Sequence, residues 1–250
     1  MRPVHRGGLG RGVVSAAVAL LLLAGVVAVR HPAAAGASGQ SLVVARVETT
    51  KRVVALTFDD GPHPLWTPVV QERLAAEHVP ATFFLIGHDV VRRPDLMRNE
   101  LANGSEVGDH TFRHPILTRL RADKVRAELV AGQEAITDNG GPRPTLFRPP
   151  YGKTNEAIDA AARAEGMRTI LWDLSLEHFV DHVAVAKGVA KLVDQVRPGS
   201  IILAHDGGKS DRSRTLQALP LLIAQLKARG YRFVTVTQLL SDGTAEANRT

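Results

Sequence analysis

The sequence predicts an α/β protein built on a parallel sheet. Short β-branched runs alternate with helical patterns along the chain, and neither an internal repeat nor a long linker interrupts the alternation after Gln40. In order, the strand-like runs are Val53–Phe58, Ala81–Ile86, Ser105–Gly108, Thr145–Arg148, Arg168–Trp172, Ser200–Ala204 and Arg232–Val236. Between them, Val125, Leu129 and Ile136 recur at helical spacing. Ile158, Ala161 and Ala162 do the same, after a candidate N-cap at Thr154 and before the stop signal Gly166. Thr215 to Arg229 reads as another helix ending at Gly230, with Pro220 marking a late start or a kink. Seven strands alternating with helices make a parallel sheet, open or closed into a barrel. In either arrangement ligands gather at the carboxyl ends of the strands.

The first forty residues read as an address rather than as part of this domain. Arg2, Arg6 and Arg11 precede an uninterrupted run from Val13 to Val29, and Ala33-Ala34-Ala35-Gly36-Ala37 supplies the small side chains a signal peptidase needs. Residues 1–40 are therefore expected to be a signal peptide, or an uncleaved membrane anchor with a short linker, since a run of seventeen weakly polar to apolar residues lies at the short edge of a spanning helix. Residues 41–250 are expected to be a single exported catalytic domain. At 44% apolar and 22% charged, the 250-residue chain is globular in composition and long enough to bury a substantial core. Cysteine is absent, which excludes thiol catalysis, Cys-ligated zinc and iron–sulfur clusters. Export without disulfides fits a secreted or envelope protein of bacterial type.

The net charge of +6 does not mark a nucleic-acid binder. Arg2, Arg6, Arg11 and Arg30 lie in a leader without acids, and beyond them 27 of the 31 Lys and Arg face 25 Asp and Glu. Aromatics at 4% also argue against a base-stacking platform.

The polar clusters follow the strands. Val53–Phe58 runs into Asp59-Asp60-Gly61-Pro62-His63, where two carboxylates could divide metal binding and proton transfer, although Asp-Gly-Pro is also a common turn. Ser105–Gly108 leads into Asp109-His110-Thr111-Phe112-Arg113-His114, and two imidazoles four apart with a nearby carboxylate suit zinc. Spacing alone is weak, because His178 and His182 share it and read as surface residues. What favours His110 and His114 is their place after a strand, where Asp60 can reach them. Thr145–Arg148 ends in Pro149-Pro150-Tyr151-Gly152, a rigid loop whose prolines fix the direction of the Tyr151 N–H, as an oxyanion donor requires. Ser200–Ala204 ends at His205-Asp206, and a strand-terminal histidine is a candidate general acid or base.

Taken together these segments resemble the polysaccharide deacetylases of the NodB-homology family, carbohydrate esterase family 4. The matching strings are Thr57-Phe58-Asp59-Asp60-Gly61-Pro62-His63, His110-Thr111 with His114, Arg148-Pro149-Pro150-Tyr151-Gly152 and Ile201-Ile202-Leu203-Ala204-His205-Asp206, with Ala81-Thr82-Phe83-Phe84 as a further strand. The resemblance spans about Val53 to Leu240. It implies a distorted (β/α) barrel with fewer than eight complete units, in agreement with the seven runs. It also implies that Asp60, His110 and His114 hold a divalent metal, usually zinc, although Co²⁺, Ni²⁺ or Mn²⁺ suits the same ligands. By the same resemblance Asp59 is the base that takes the proton of a water, Arg148 orients Asp59, and the Tyr151 N–H faces the oxyanion. His205 protonates the departing amine, and Leu203 and Trp172 line the substrate pocket.

One motif departs from the family pattern. Trp172 is followed by Asp173-Leu174-Ser175-Leu176-Glu177-His178-Phe179, so that Ser175 and His178 stand where the family carries two aspartates. The first of these normally supports the catalytic histidine, and its loss weakens His205 as an acid unless Asp173 or Glu177 takes its place. The expected function is removal of N-acetyl groups from GlcNAc-containing polysaccharide, peptidoglycan or chitin-type oligomers. An O-acetyl esterase acting on xylan or another glycan is the alternative that the altered motif favours. A glycan-binding protein with decayed catalysis is a third. The expected partner is an acetylated glycan, with no nucleic acid, and contact with a membrane only through an uncleaved N-terminal anchor.

Overall fold

The computed structural model describes residues 43–246. The expected leader and anchor over residues 1–40 lie outside the described residues. Nine strands form one sheet in which each pairing is parallel, in the order β1 (Val43–Val44), β7 (Arg168–Ile170), β6 (Leu146–Phe147), β5 (Glu106–Asp109), β4 (Thr82–Leu85), β3 (Val53–Gly61), β9 (Ile201–His205) and β8 (Leu174–Ser175), with β10 (Arg232–Val234) also paired to β3. The two short strands β2 (Arg46–Glu48) and β11 (Thr244–Glu246) pair antiparallel in a separate ribbon. The sheet curls into the open, distorted barrel that the resemblance implies.

β3 is the axis of this sheet. Its first half, Val53–Ala55, pairs with β10, its second half with β4, and its other edge with β9 from Ala55↔Ile201 to Asp59↔His205. Alternation along β3 separates two apolar layers. Val54, Leu56 and Phe58 pack outward with Leu192 of α7 (Val185–Gln195) and Leu219, Leu222 and Ile223 of α8 (Ser213–Ala228), all fully buried. Val53 and Ala55 face inward with Phe84, Leu146, Ile170 and Ile201. The inner face is thus apolar at the start of the strands. It becomes polar toward their carboxyl ends, at Thr57 and Asp59 on β3 and His205 on β9.

All seven expected runs are strands. β1, β2, β8 and β11 escape the sequence because two or three residues show no alternation to read. The helix α5 (Glu156–Ala164) is capped one residue later than expected, by Asn155, whose side chain accepts from the Ile158 N–H at 3.0 Å. Thr154 instead donates to Asp159 Oδ1 at 2.5 Å. Pro220 neither delays nor ends α8, which begins at Ser213 and runs through it. Gly166 and Gly230 do follow their helices with φ of 80°.

Candidate active site

Successive residues of a strand point to opposite faces, so adjacent carboxylates at a strand end should diverge. Here they converge. The register of β3 against β4 shifts between Asp59 and Gly61, and Asp60 takes a φ of 71°, a bulge that turns its side chain to the same side as that of Asp59. Asp59 Oδ2 and Asp60 Oδ1 then lie 3.9 and 3.5 Å from His110 Nε2, and Asp60 Oδ1 lies 3.2 Å from His114 Nε2.

One ligand atom from each of Asp60, His110 and His114 falls within 4.8 Å of the other two. The buried His110 ring has its Nδ1 2.7 Å from the Arg148 carbonyl, and a ring nitrogen beside a carbonyl must be the one that carries the proton. Nε2 is left with its lone pair toward Asp60, the tautomer that a metal ligand needs. Asp60 Oδ1 is buried without a hydrogen-bond donor. An orphaned carboxylate oxygen facing two imidazole nitrogens is the donor set of a divalent cation, so the residues present fit a metal. Burial disfavours the Asp60 carboxylate, but in the acid range where the surrounding imidazoles are protonated, His110 first and then His114 and His205 outweigh it and hold Asp60 well below the usual carboxylate range. Burial, and then the neighbouring His110, keep His114 below the ordinary imidazole value against the opposing pull of Asp60 and Asp59.

Asp59 is held from the other side by Arg148, which is fully buried. Arg148 Nη1 donates to Asp59 Oδ1 at 2.7 Å and to Thr57 Oγ1 at 2.8 Å, while Nε and Nη2 donate to the carbonyls of Ile170 and Leu171. Its guanidinium also lies 4.1 Å from the centre of the Phe84 ring and 5.5 Å from that of Trp172. Burial is the largest influence on Arg148 and pulls its pKa down against the pull of Asp59. The loop after β6 then folds over the site. Tyr151 has a φ of 62° and is 59% exposed, with its ring edge-on to His114 at 4.6 Å. Gly152 sits so close to Trp172 that a Cβ there would come within 2.8 Å of the indole. Leu203 is buried on β9 between Thr57 and Ser175, on the same face as His205 two residues on.

The fourth motif resolves at Glu177. Its Oε1 accepts from the His205 backbone N–H and from Thr215 Oγ1, each at 2.9 Å, and lies 3.4 Å from His205 Nδ1. Burial alone would lower the pKa of His205, but the carboxylate of Glu177, with Asp59 further off, raises it above the usual imidazole value. Glu177 is in turn held low by His205 and Thr215 despite its own burial. Asp173 does not take part: its two oxygens accept from Ser200 Oγ and the Ile201 N–H, each at 2.8 Å, and tie β8 to β9. Ser175 precedes the short helix α6 (Leu176–Val180), and the second residue of that helix, Glu177, reaches the histidine. His178 and His182 are exposed, as expected for surface residues.

Two neighbours of the site carried no role in the sequence. Arg212 Nε donates to the Gly207 carbonyl at 2.8 Å, and its Nη2 lies 3.6 Å from Asp60 Oδ2. No motif announces it, because it arrives on a loop seven residues after His205. Asp206 is fully buried and takes a short hydrogen bond from Thr67 Oγ1. Burial, with the charges of Asp60 and Asp59 added, pushes its carboxyl up to about 7.

At the strand ends, then, stand a seat for a cation, a restrained carboxylate beside it and a carboxylate-backed imidazole on the neighbouring strand, the equipment of a hydrolase. Residues 46–170 match the polysaccharide deacetylase family. A peptidoglycan-N-acetylglucosamine deacetylase of Bacillus cereus is 37% identical over 204 residues, which cover 78% of this chain and 91% of that protein. A peptidoglycan-N-acetylglucosamine deacetylase of Listeria monocytogenes is 36% identical over 80% of this chain, which spans 41% of that longer protein. A crystal structure of a peptidoglycan N-acetylglucosamine deacetylase superposes with a TM-score of 0.76 at 28% identity, over 82% of this chain and 95% of that one. The chain belongs to the polysaccharide deacetylase family, the NodB-homology carbohydrate esterases that its motifs resemble, and is an enzyme of that class.

Proposed function

We propose that this chain removes N-acetyl groups from GlcNAc units of a cell-envelope polysaccharide, peptidoglycan or chitin-type oligomers, as an exported bacterial protein whose residues 41–250 form the catalytic domain. The observation that carries the choice of an amide substrate is Glu177 beside His205. An amine is a poor leaving group and must be protonated as it departs, so the acid has to hold its proton at the working pH. An imidazole whose pKa is raised by a buried carboxylate does so, whereas an ester would need less help.

Asp60, His110 and His114 would hold the cation, with zinc the best match to one carboxylate and two imidazoles. When bound, such an ion supplies the positive charge that acidifies a water and polarises an acyl oxygen. Asp59 takes the proton of the attacking water. Arg148, hydrogen-bonded to Oδ1, leaves Oδ2 on the His110 side to receive it. The Tyr151 N–H, fixed by the two prolines before it, donates to the oxygen on which negative charge develops. His205 passes its proton to the nitrogen as the C–N bond breaks. Leu203 and Trp172 close the pocket for the acetyl group.

The test uses the full-length chain stripped with chelator. Acetate release is followed from peptidoglycan, N-acetylated chitooligosaccharides and acetylated xylan, with and without zinc. Zinc-dependent release from the amide substrates is expected, and release from xylan alone would make the protein an esterase. Asp59→Asn should reduce turnover by more than about a hundredfold while zinc stays bound. Ordinary turnover in that variant would remove Asp59 as the base.

A further inference from the structure

The cleft that contains Asp60 and His114 extends away from them over about 720 Å³. Arg92, Arg93, Arg113, Lys209 and Arg212 line it, against the carboxylates of Asp60 and Asp89 alone. These cations come from three separate segments: the end of α2 (Gly87–Arg92) with the residue after it, the loop after β5 and the loop after β9. Two of the five are already engaged. Arg212 faces Asp60, and Arg113 pairs with Glu128 at 3.2 Å. Arg92, Arg93 and Lys209 form no ion pair among the described residues, and all three reach solvent. The concentration is local, since outside the leader the chain carries nearly equal numbers of basic and acidic residues.

A second cleft of about 620 Å³ is lined by Trp172, the residue against which the Tyr151–Gly152 turn packs. Tyr151 lines the first cleft, and Gly152 abuts Trp172, which lines the second with Asp173, Ser175, His178 and Phe179. It contains no Lys or Arg. A polymer laid across the site therefore meets Trp172, Phe179 and Ser175 beside the Asp173 carboxylate at one cleft, and at the other Arg92, Arg93 and Lys209 against the single remaining carboxylate of Asp89, an excess of two positive charges. Chitin and an unsubstituted xylan backbone offer those cations only neutral acceptors, hydroxyl and acetyl oxygens. A carboxylate offers a charge-assisted hydrogen bond to each and is drawn in by their combined field.

We propose that Arg92, Arg93 and Lys209 form a carboxylate-binding subsite beside the reacting centre, and that the enzyme prefers acetylated glycans that carry carboxylates over neutral ones. The inference rests on the deacetylase reading above and adds the charge of the substrate. The carboxylate can be borne by a neighbouring sugar or by a peptide attached to it, and the chemistry at the subsite is the same.

The test compares three oligomers of equal length on the zinc-loaded full chain: neutral N-acetylchitooligosaccharide, an oligomer in which alternate sugars carry a carboxylate ether, and the same oligomer with an acidic peptide attached. Wild type should favour the acidic oligomers by about tenfold in kcat/KM at low salt, mostly through KM, and lose that preference between about 0.05 and 0.5 M salt. The variant R92Q/R93Q/K209Q should lose the preference while keeping wild-type turnover on the neutral oligomer. Equal rates on the first two substrates with a gain only on the third would assign the carboxylate to the peptide. Equal rates of wild type on all three, or a variant impaired equally on all three, would overturn the subsite and leave the deacetylase standing. If no substrate releases acetate, the proposed function fails, and calorimetric titration still decides the subsite. Tighter binding of the acidic oligomer by wild type and not by the variant supports it, and equal binding overturns it.

Discussion

Four residues of the site hold backbone conformations that side chains other than glycine rarely adopt: Asp60, Thr111, His114 and Tyr151, with φ between 59° and 71°. Each costs on the order of 1–3 kcal/mol, and a β-branched residue such as Thr111 is the least tolerant of all. The surroundings enforce them. The Thr111 N–H donates to Asp109 Oδ1 at 2.9 Å, and Thr111 Oγ1 accepts from the His114 N–H at 3.0 Å, so the strained residue is what turns His114 back toward His110. Glu177 is the residue whose role most needs a test. With His205 as the proposed acid, the carboxylate that raises its pKa keeps it protonated to higher pH, and activity should fall as pH rises through that raised value. Glu177→Gln should shift the alkaline limb of the kcat profile toward lower pH and cut turnover of an N-acetyl substrate by about tenfold or more, with less effect on an acetate ester. Ser175→Asp should leave the profile in place, because the histidine already has its carboxylate. A large gain from Ser175→Asp, with Glu177→Gln silent, would return the role to position 175.

At the scale of elements, the site depends on how closely the loop after β9 approaches the bulge of β3. A Cβ on Gly207 would lie 1.9 Å from the Asp60 carbonyl oxygen, so only glycine lets this backbone pass. Gly207→Ala should destabilise the fold by about 1–3 kcal/mol through overpacking and weaken zinc binding by displacing Asp60. Thermal denaturation and a zinc titration measure the two effects, and undiminished zinc affinity would mean that the loop does not set the position of Asp60. The strands that carry chemistry were legible because each is a short run that ends in a polar cluster, and the carboxyl-end rule then gathered Asp59, Asp60, His110, His114, Arg148 and His205. What stayed illegible depends on backbone geometry with no periodic trace. The bulge that turns Asp60, the two-residue strand β8 that sets the phase of Glu177 and the loop that brings Arg212 to Asp60 all result from pairing across distant parts of the chain.

The described residues 43–246 form a curled sheet whose end strands β1 and β8 do not pair with each other, and the polar site at its carboxyl edge gathers side chains from separate strands. Asp60 belongs to β3, whereas His110 and His114 follow β5, two strands away across β4. A cation shared by the three would therefore bind the native arrangement and not the unfolded chain, and so stabilise the whole fold. At a concentration a hundred times its Kd it contributes about 2.7 kcal/mol. For a domain of this size that raises Tm by roughly 5–10 °C. The shift should depend on pH with a definite sign. A protonated imidazole cannot be a ligand, and His114, held below the ordinary imidazole value, stays neutral to lower pH than a free histidine. The zinc-induced rise in Tm should accordingly persist below pH 6.5, the ordinary imidazole value, and vanish as pH falls through the depressed pKa. Differential scanning calorimetry of stripped and zinc-loaded protein across that range reads this directly. His114→Ala should abolish the rise at every pH, and an unchanged rise in that variant would place the cation elsewhere.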